Sequence, residues 1–233
     1  MFGINEILDK FLLGESLTYE EKVKILDNKA VDEKVVMYLT KKLSNLQIEI
    51  LNYCAGSLFD LMNANKLDRW CWQTTESAIV FFYDDDYIER GNLIFEESEP
   101  EYYHSWICFK LDGIEYVFDP CLNFLCKKEY YSKIFETKVK SRVSAKAVKE
   151  ELIKQITLPK EDNTSINKSL EAFMKCVYGD SYAEIKKSRE NEVRVYGSDD
   201  VNTPFYRNGA GYKAQIEDGK IKSLIVHYYD TSC

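Results

Sequence analysis

The sequence predicts an α+β fold: a helical N-terminal half packed on an antiparallel sheet, followed by a β-rich C-terminal appendage. Three observations predict it. Apolar residues recur at helical spacing through the first third of the chain. From residue 102 the pattern switches to strand-like alternation, rich in aromatic side chains. Asp112-Gly113 and Asp218-Gly219 each sit between two such alternating runs, where an Asp-Gly pair makes a two-residue hairpin turn.

The elements follow in order. Ile4, Ile7, Leu8, Phe11 and Leu12 form one helical stripe. Thr18, followed by Glu20 and Glu21, reads as an N-cap with acids in the first turn of a helix reaching about residue 26. Residues 31–43 and 46–64 read as further helices, the latter on Ile48, Leu51, Leu58, Leu61 and Met62. Cys71 then opens a helix to about Tyr83, and Asp84-Asp85-Asp86 is a solvated break. Residues 92–97 read as a strand. Residues 102–111 form the clearest strand, with Tyr102, His104, Trp106 and Cys108 on one face. Its return strand is 114–118, ended by Asp119-Pro120 because proline donates no ladder hydrogen bond. Short helices at 129–135 and 145–155, a linker at 159–167 and a helix at 167–178 precede a tail with strands at 192–196, 211–216 and 221–228. This divides the chain into residues 1–158 and a smaller region, 159–233.

Composition narrows the function classes. The 233 residues are 45% apolar, enough for a sizeable core, and carry only 10 glycines and 4 prolines. A net charge of −8 repels phosphate backbones, so no nucleic-acid partner is expected. Seven cysteines, an odd number without a dense framework, read as free thiols in a reducing compartment. The N-terminus shows no basic segment before an apolar run, and no apolar stretch approaches the roughly 18 residues of a membrane helix. A cytoplasmic location without membrane association is expected; a bacterial effector exported by an unrecognised route would read the same.

One constellation carries chemistry. A thiol attacks efficiently as thiolate, which a helix N-terminus and an adjacent imidazole both favour, while a third group orients the imidazole. Cys71 opens a helix, His104 lies on the strand at 102–111, and Asp119 ends the paired strand. With Asp112 and Gly113 as the turn, Leu111 faces Ile114 and Asp119 faces Trp106. Asp119 and His104 then form a diagonal pair on one face, roughly 7–8 Å apart at the backbone. A one-residue slip would put the carboxylate on the wrong face.

Cys71-Trp72 at a helix start, His104-Ser105-Trp106 on a strand, and Tyr116-Val117-Phe118-Asp119-Pro120 closing the next strand resemble the transglutaminase-like group of the papain-like cysteine enzymes. The resemblance covers about residues 50–135. It implies a papain-like core and a Cys-His-Asp triad in which Cys71 attacks an acyl carbon, His104 moves the proton and Asp119 orients His104. It implies an oxyanion held by the Cys71 backbone N–H and one further donor, with Asn65 and Trp70 as candidates. Trp72 and Trp106 are the candidate substrate-facing aromatics. The expected activity is that of a peptidase or amidase acting on a peptide or isopeptide amide of a peptide or protein substrate, with no cofactor. Transfer to an amine, as in a transglutaminase or N-acyltransferase, and a catalytically silent binding protein on the same scaffold are the alternatives.

Other features read as structural. His104 with Cys108, and Cys121 with Cys126, have zinc-like spacing, but four residues along a strand span about 13 Å, so no metal is expected. The three acids at 84–86 lack the spacing and glycine of a calcium loop. Glu96, Glu97, Glu99 and Glu101 read as an ordinary charged loop, with an acidic rim favouring a basic substrate as the alternative. His227 reads as a structural strand residue. The tyrosine-rich tail (Tyr196, Tyr206, Tyr212, Tyr228, Tyr229) reads as half-buried, with a binding surface as the alternative.

Overall fold

The computed structural model describes residues 31–50, 53–57, 70–94, 102–157, 193–195 and 210–228, with positions 6, 7, 10, 13, 15, 17, 18, 20–22 and 24 before them. The N-cap at Thr18 is present as a reciprocal capping box. The Glu21 N–H donates to Thr18 Oγ1 at 3.3 Å, and the Thr18 N–H donates to Glu21 Oε2 at 3.0 Å.

The described elements are α1 (Glu33–Leu43), β1 (Leu46–Ile50), β2 (Tyr53–Ser57), α2 (Cys71–Ile79), β3 (Tyr87–Leu93), β4 (Tyr102–Leu111), β5 (Ile114–Asp119), β6 (Phe124–Lys127), α3 (Lys128–Ile134), β7 (Lys138–Ser144), α4 (Ala145–Thr157), β8 (Val193–Val195), β9 (Ala210–Glu217) and β10 (Lys220–Tyr228). The strands form two five-stranded sheets, ordered β2-β1-β10-β9-β8 and β6-β5-β4-β3-β7. The chain is therefore α+β, with antiparallel pairing everywhere among the described strands except between β1 and β10.

Two expectations are corrected. The segment expected as a helix from 46 to 64 begins with two strands. Leu46 and Ile48 are buried while Gln47 between them is exposed, a period of two that outweighs the helical count. The N-terminal half is thus not wholly helical. The C-terminal strands are also not an appendage. β10 pairs in parallel with β1, from Leu46↔Leu224 to Ile50↔Tyr228, so a boundary at 158/159 would cut through one sheet. The expected linker at 159–167 and helix at 167–178 lie outside the described residues.

The main core lies between one face of each sheet and holds side chains of α1, α2 and α4: Leu39, Ile79 and Val148 meet Ile107, Phe109 and Phe118 from one sheet and Leu224 and Val226 from the other. Tyr212 is fully buried in this core, not half-buried or surface-facing as expected. The second sheet is covered on both faces. Its other side packs Trp106, Cys108, Val117 and Phe124 against Tyr131, Ile134 and Phe135 of α3 and its C-terminal turn. The acidic break is only partly solvated: Asp86 is buried and accepts from the Tyr83 and Lys110 N–H groups at 2.9 and 3.2 Å.

Helix α2 is enclosed. Residues 72–79 are all buried, although Gln73, Thr74, Thr75, Glu76 and Ser77 are polar. Burial of polar groups is tolerated only when they are bonded. Thr75 shares a hydrogen bond with Ser105 on β4 (2.7 Å), and Glu76 forms an ion pair with Arg90 on β3, both side chains fully buried. The Arg90 guanidinium also lies 4.7 Å from the Trp72 ring centroid. These contacts hold the helix in one position against the sheet, which a purely apolar face would do with less directional precision. Removing one partner leaves a buried charge, so Arg90→Met is expected to lower unfolding free energy by about 3–5 kcal/mol in urea titrations. The double change Glu76→Leu/Arg90→Met, which removes both charges, is expected to cost less than the single one.

Candidate active site

The hairpin β4–β5 has the expected register. Asp112 and Gly113 adopt φ values of 51° and 83°, the left-handed region that a two-residue turn of this hand requires. Leu111 pairs with Ile114, and the ladder runs to Ile107↔Phe118. Beyond that point β5 turns away at Asp119-Pro120, while β4 stays paired to β3 back to Tyr102. This opens a gap beside residues 102–106, and the N-terminus of α2 meets it.

At that gap His104 Nε2 lies 2.7 Å from Asp119 Oδ2. The Cys71 side chain also acts on His104 and helps to raise its pKa. Because Nε2 faces Asp119, Nδ1 is the ring nitrogen left for the thiol. The structure therefore brings together all three residues that the spacing singled out. Asp119 is fully buried, His104 is 9% exposed and Cys71 is partly exposed, so the nucleophile candidate is the member open to solvent.

Asp119 is held from both sides. Its Oδ1 accepts the Cys121 and Leu122 N–H groups, each at 3.0 Å, an Asx-type turn that reverses the chain after the proline. Its Oδ2 accepts the Tyr131 hydroxyl at 2.7 Å as well as His104. Burial works against a charge on His104, but the Asp119 carboxylate beside it, by charge and hydrogen bond, and then Cys71 outweigh this and raise the imidazole to about 10. His104 is accordingly protonated near neutral pH.

Cys71 is the first residue of α2, so its N–H has no acceptor within the helix. The other donor candidates fare differently. The Trp70 backbone N–H is directed at the Cys121 thiol, and the Trp70 ring packs against the main core. Asn65 and the glutamates at 96–101 lie outside the described residues.

Trp72 and Trp106, the candidate substrate-facing aromatics, are both buried. Trp72 is buried between Tyr103, 5.2 Å between ring centroids, and Arg90. Trp106 is 1% exposed and forms the floor of the site: its ring lies 6.4 Å from His104 and 5.3 Å from Tyr131. The Trp106 indole N–H donates to Glu89 Oε2 at 3.0 Å. Burial disfavours the charged form of Glu89, but donation from Lys128, Trp106 and Cys108 outweighs it and lowers its pKa. Glu89 thereby anchors the ring beneath His104.

Tyr131, Cys121 and Glu89 were not legible as site residues. Tyr131 is one of two adjacent tyrosines in a short helix, and only the fold brings its hydroxyl to Asp119. Among the described residues no group of three or more metal-ligating side chains converges, and no helix is long and apolar enough to cross a membrane.

No family model, curated protein or solved structure matches this chain.

Two outcomes are expected. Burial pushes the thiols of Cys108, Cys121 and Cys126 up, whereas Cys71 is partly exposed beside His104. Iodoacetamide at pH 7 should therefore label Cys71 before those three, read by peptide mass mapping of a time course; equal rates would contradict the geometry. The raised His104 value also couples the pair to stability. Protonated His104 stabilises the native state fully below its unfolded value near 6.5, and that contribution fades as pH rises through about 10. The stability difference between wild type and His104→Gln should thus shrink between pH 6.5 and pH 10, measured by denaturant midpoints at several pH values.

Proposed function

We propose that this chain is a cysteine-dependent acyl-transfer enzyme, a peptidase or amidase that cleaves a peptide or isopeptide amide through Cys71, His104 and Asp119. The observation that carries the reading is the buried 2.7 Å contact between His104 and Asp119, set beside a partly exposed cysteine at a helix N-terminus. The resemblance of the Cys-Trp, His-x-Trp and Asp-Pro motifs to the transglutaminase-like cysteine enzymes supports the same assignment.

The chemistry follows from the arrangement. The proton that leaves Cys71 resides on His104, whose positive charge Asp119 stabilises. Cys71 Sγ attacks the amide carbonyl carbon, forming an S–C bond and pushing charge onto the oxygen. The Cys71 N–H at the start of α2, with the positive end of the helix, stabilises that oxyanion. As the tetrahedral intermediate collapses, the C–N bond breaks and the His104 proton passes to the leaving amine, leaving a thioester. Water then attacks the thioester and gives a proton to His104, the S–C bond breaks, and the carboxylic acid departs. Asp119 keeps the imidazole oriented throughout and does not itself exchange the proton.

Incubation with a panel of fluorogenic peptidyl amides tests the proposal. Wild type is expected to release fluorophore and to show an acyl adduct on Cys71 by intact mass. Cys71→Ala is expected to lose on the order of a thousandfold or more in rate. Turnover that is equal in wild type and Cys71→Ala would defeat the assignment.

A further inference from the structure

Among the described residues Asp119 receives four donors, and the proposed triad uses one of them. Two backbone N–H groups occupy Oδ1. The remaining donor is the Tyr131 hydroxyl, which binds the same oxygen, Oδ2, as His104 and at the same distance, 2.7 Å. Tyr131 is fully buried among Trp106, Phe124 and Phe135, with ring centroids 5.3, 6.0 and 4.7 Å away. A phenylalanine would fill that volume, so packing alone does not call for a hydroxyl. Burial and the neighbouring carboxylate both raise the pKa of the phenol, so Tyr131 keeps its proton and acts as the donor.

We infer that Tyr131 is a positioning residue that sets, through Asp119 Oδ2, how tightly His104 holds its proton. The inference rests on the Cys-His-Asp reading above. Two donors on one oxygen share its electron density, so each weakens the other's bond. Removing the hydroxyl concentrates negative charge on Oδ2 and strengthens its hold on the imidazolium. The carboxylate plane stays in place because Oδ1 remains bonded to the two backbone N–H groups. The change is therefore one of charge rather than orientation. Its use to the enzyme is clear from the chemistry: His104 has to give a proton to a leaving amine, and an imidazolium held too firmly gives it up slowly.

The titratable groups around the pair are Cys71 from α2, Cys108 from β4, Cys121 from the turn after β5, Cys126 from β6 and Tyr131 from α3. Burial pushes the thiols of Cys108, Cys121 and Cys126 up, which favours their neutral form. Cys71 is the coupled partner, and it is removed from the measurement by Cys71→Ala. The chain has two histidines, so His227→Gln leaves His104 as the sole imidazole signal.

The experiment is an NMR titration of the His104 ring in the full chain carrying Cys71→Ala and His227→Gln, with and without Tyr131→Phe. The expected result is a midpoint raised by about half to one pH unit in the Tyr131→Phe protein. A purely structural role would lower stability and leave the midpoint alone, so an unchanged or lower midpoint overturns the inference. If Tyr131→Phe does not fold, site-specific 3-fluorotyrosine at position 131 replaces it. That residue keeps the hydroxyl and makes it a stronger donor, so the midpoint should fall; no change or a rise overturns the inference. A His104 midpoint at or below 6.5 before any change at Tyr131 would remove the triad reading itself, and this inference with it. A raised midpoint that Tyr131 does not move would remove the inference alone.

Discussion

The site depends on one constraint, the parity of the β4–β5 hairpin. Side chains alternate across a sheet, so the turn decides whether the carboxylate at the end of β5 shares a face with the imidazole on β4. The Asp112-Gly113 turn sets that parity through two left-handed residues. Proline at 120 then ends the ladder, so β5 departs where β4 continues. The register thus does two things at once. It places Asp119 beside His104, and it opens the side of β4 through which Cys71 reaches the ring.

Around that constraint the chain builds stiffness from buried polar contacts. Helix α2 carries the cysteine and is fixed to the sheet through Thr75–Ser105 and Glu76–Arg90. The floor beneath His104 is held by Glu89, which gathers Trp106, Cys108, Lys128 and Arg142. Such networks are costly when half made and specific when complete. Each ties an element bearing a site residue to a neighbouring strand.

The parts legible in the sequence were those with a local signature. The hairpin and the pairing of His104 with Asp119 were readable because alternation, Asp-Gly and Asp-Pro all demand the same geometry. The start of α2 at Cys71 was readable from the change in texture at Trp70. By contrast, Leu46, Ile48 and Ile50 satisfy a strand period, yet Ile48 also begins a helical count with Leu51 and Leu58, and the longer count misled. Strand β7 was missed because Lys138, Lys140 and Arg142 alternate with few apolar residues, as suits a charged edge strand. Tyr131, Glu89 and the Glu76–Arg90 pair were not legible, since their partners lie on other elements and pairing across elements leaves no spacing to read.

The parallel pairing of β1 with β10 has a consequence for assembly. Leu46 meets Leu224, so this contact closes the longest loop among the described strand pairings. The sheet that bears His104 and Asp119 is drawn wholly from residues between Tyr87 and Ser144, and its pairings close much shorter loops. Loop closure costs entropy before any contact repays it, and distant pairings are the slower to form. On a ribosome, the strands that carry the proposed chemistry are all made before β10 exists. Until β10 arrives, β1 presents an unpaired edge, and the core shared by the two sheets lacks Leu224 and Val226. Completion of this pairing therefore waits on β10, the described strand farthest in sequence from Cys71, although none of its residues belongs to the proposed triad.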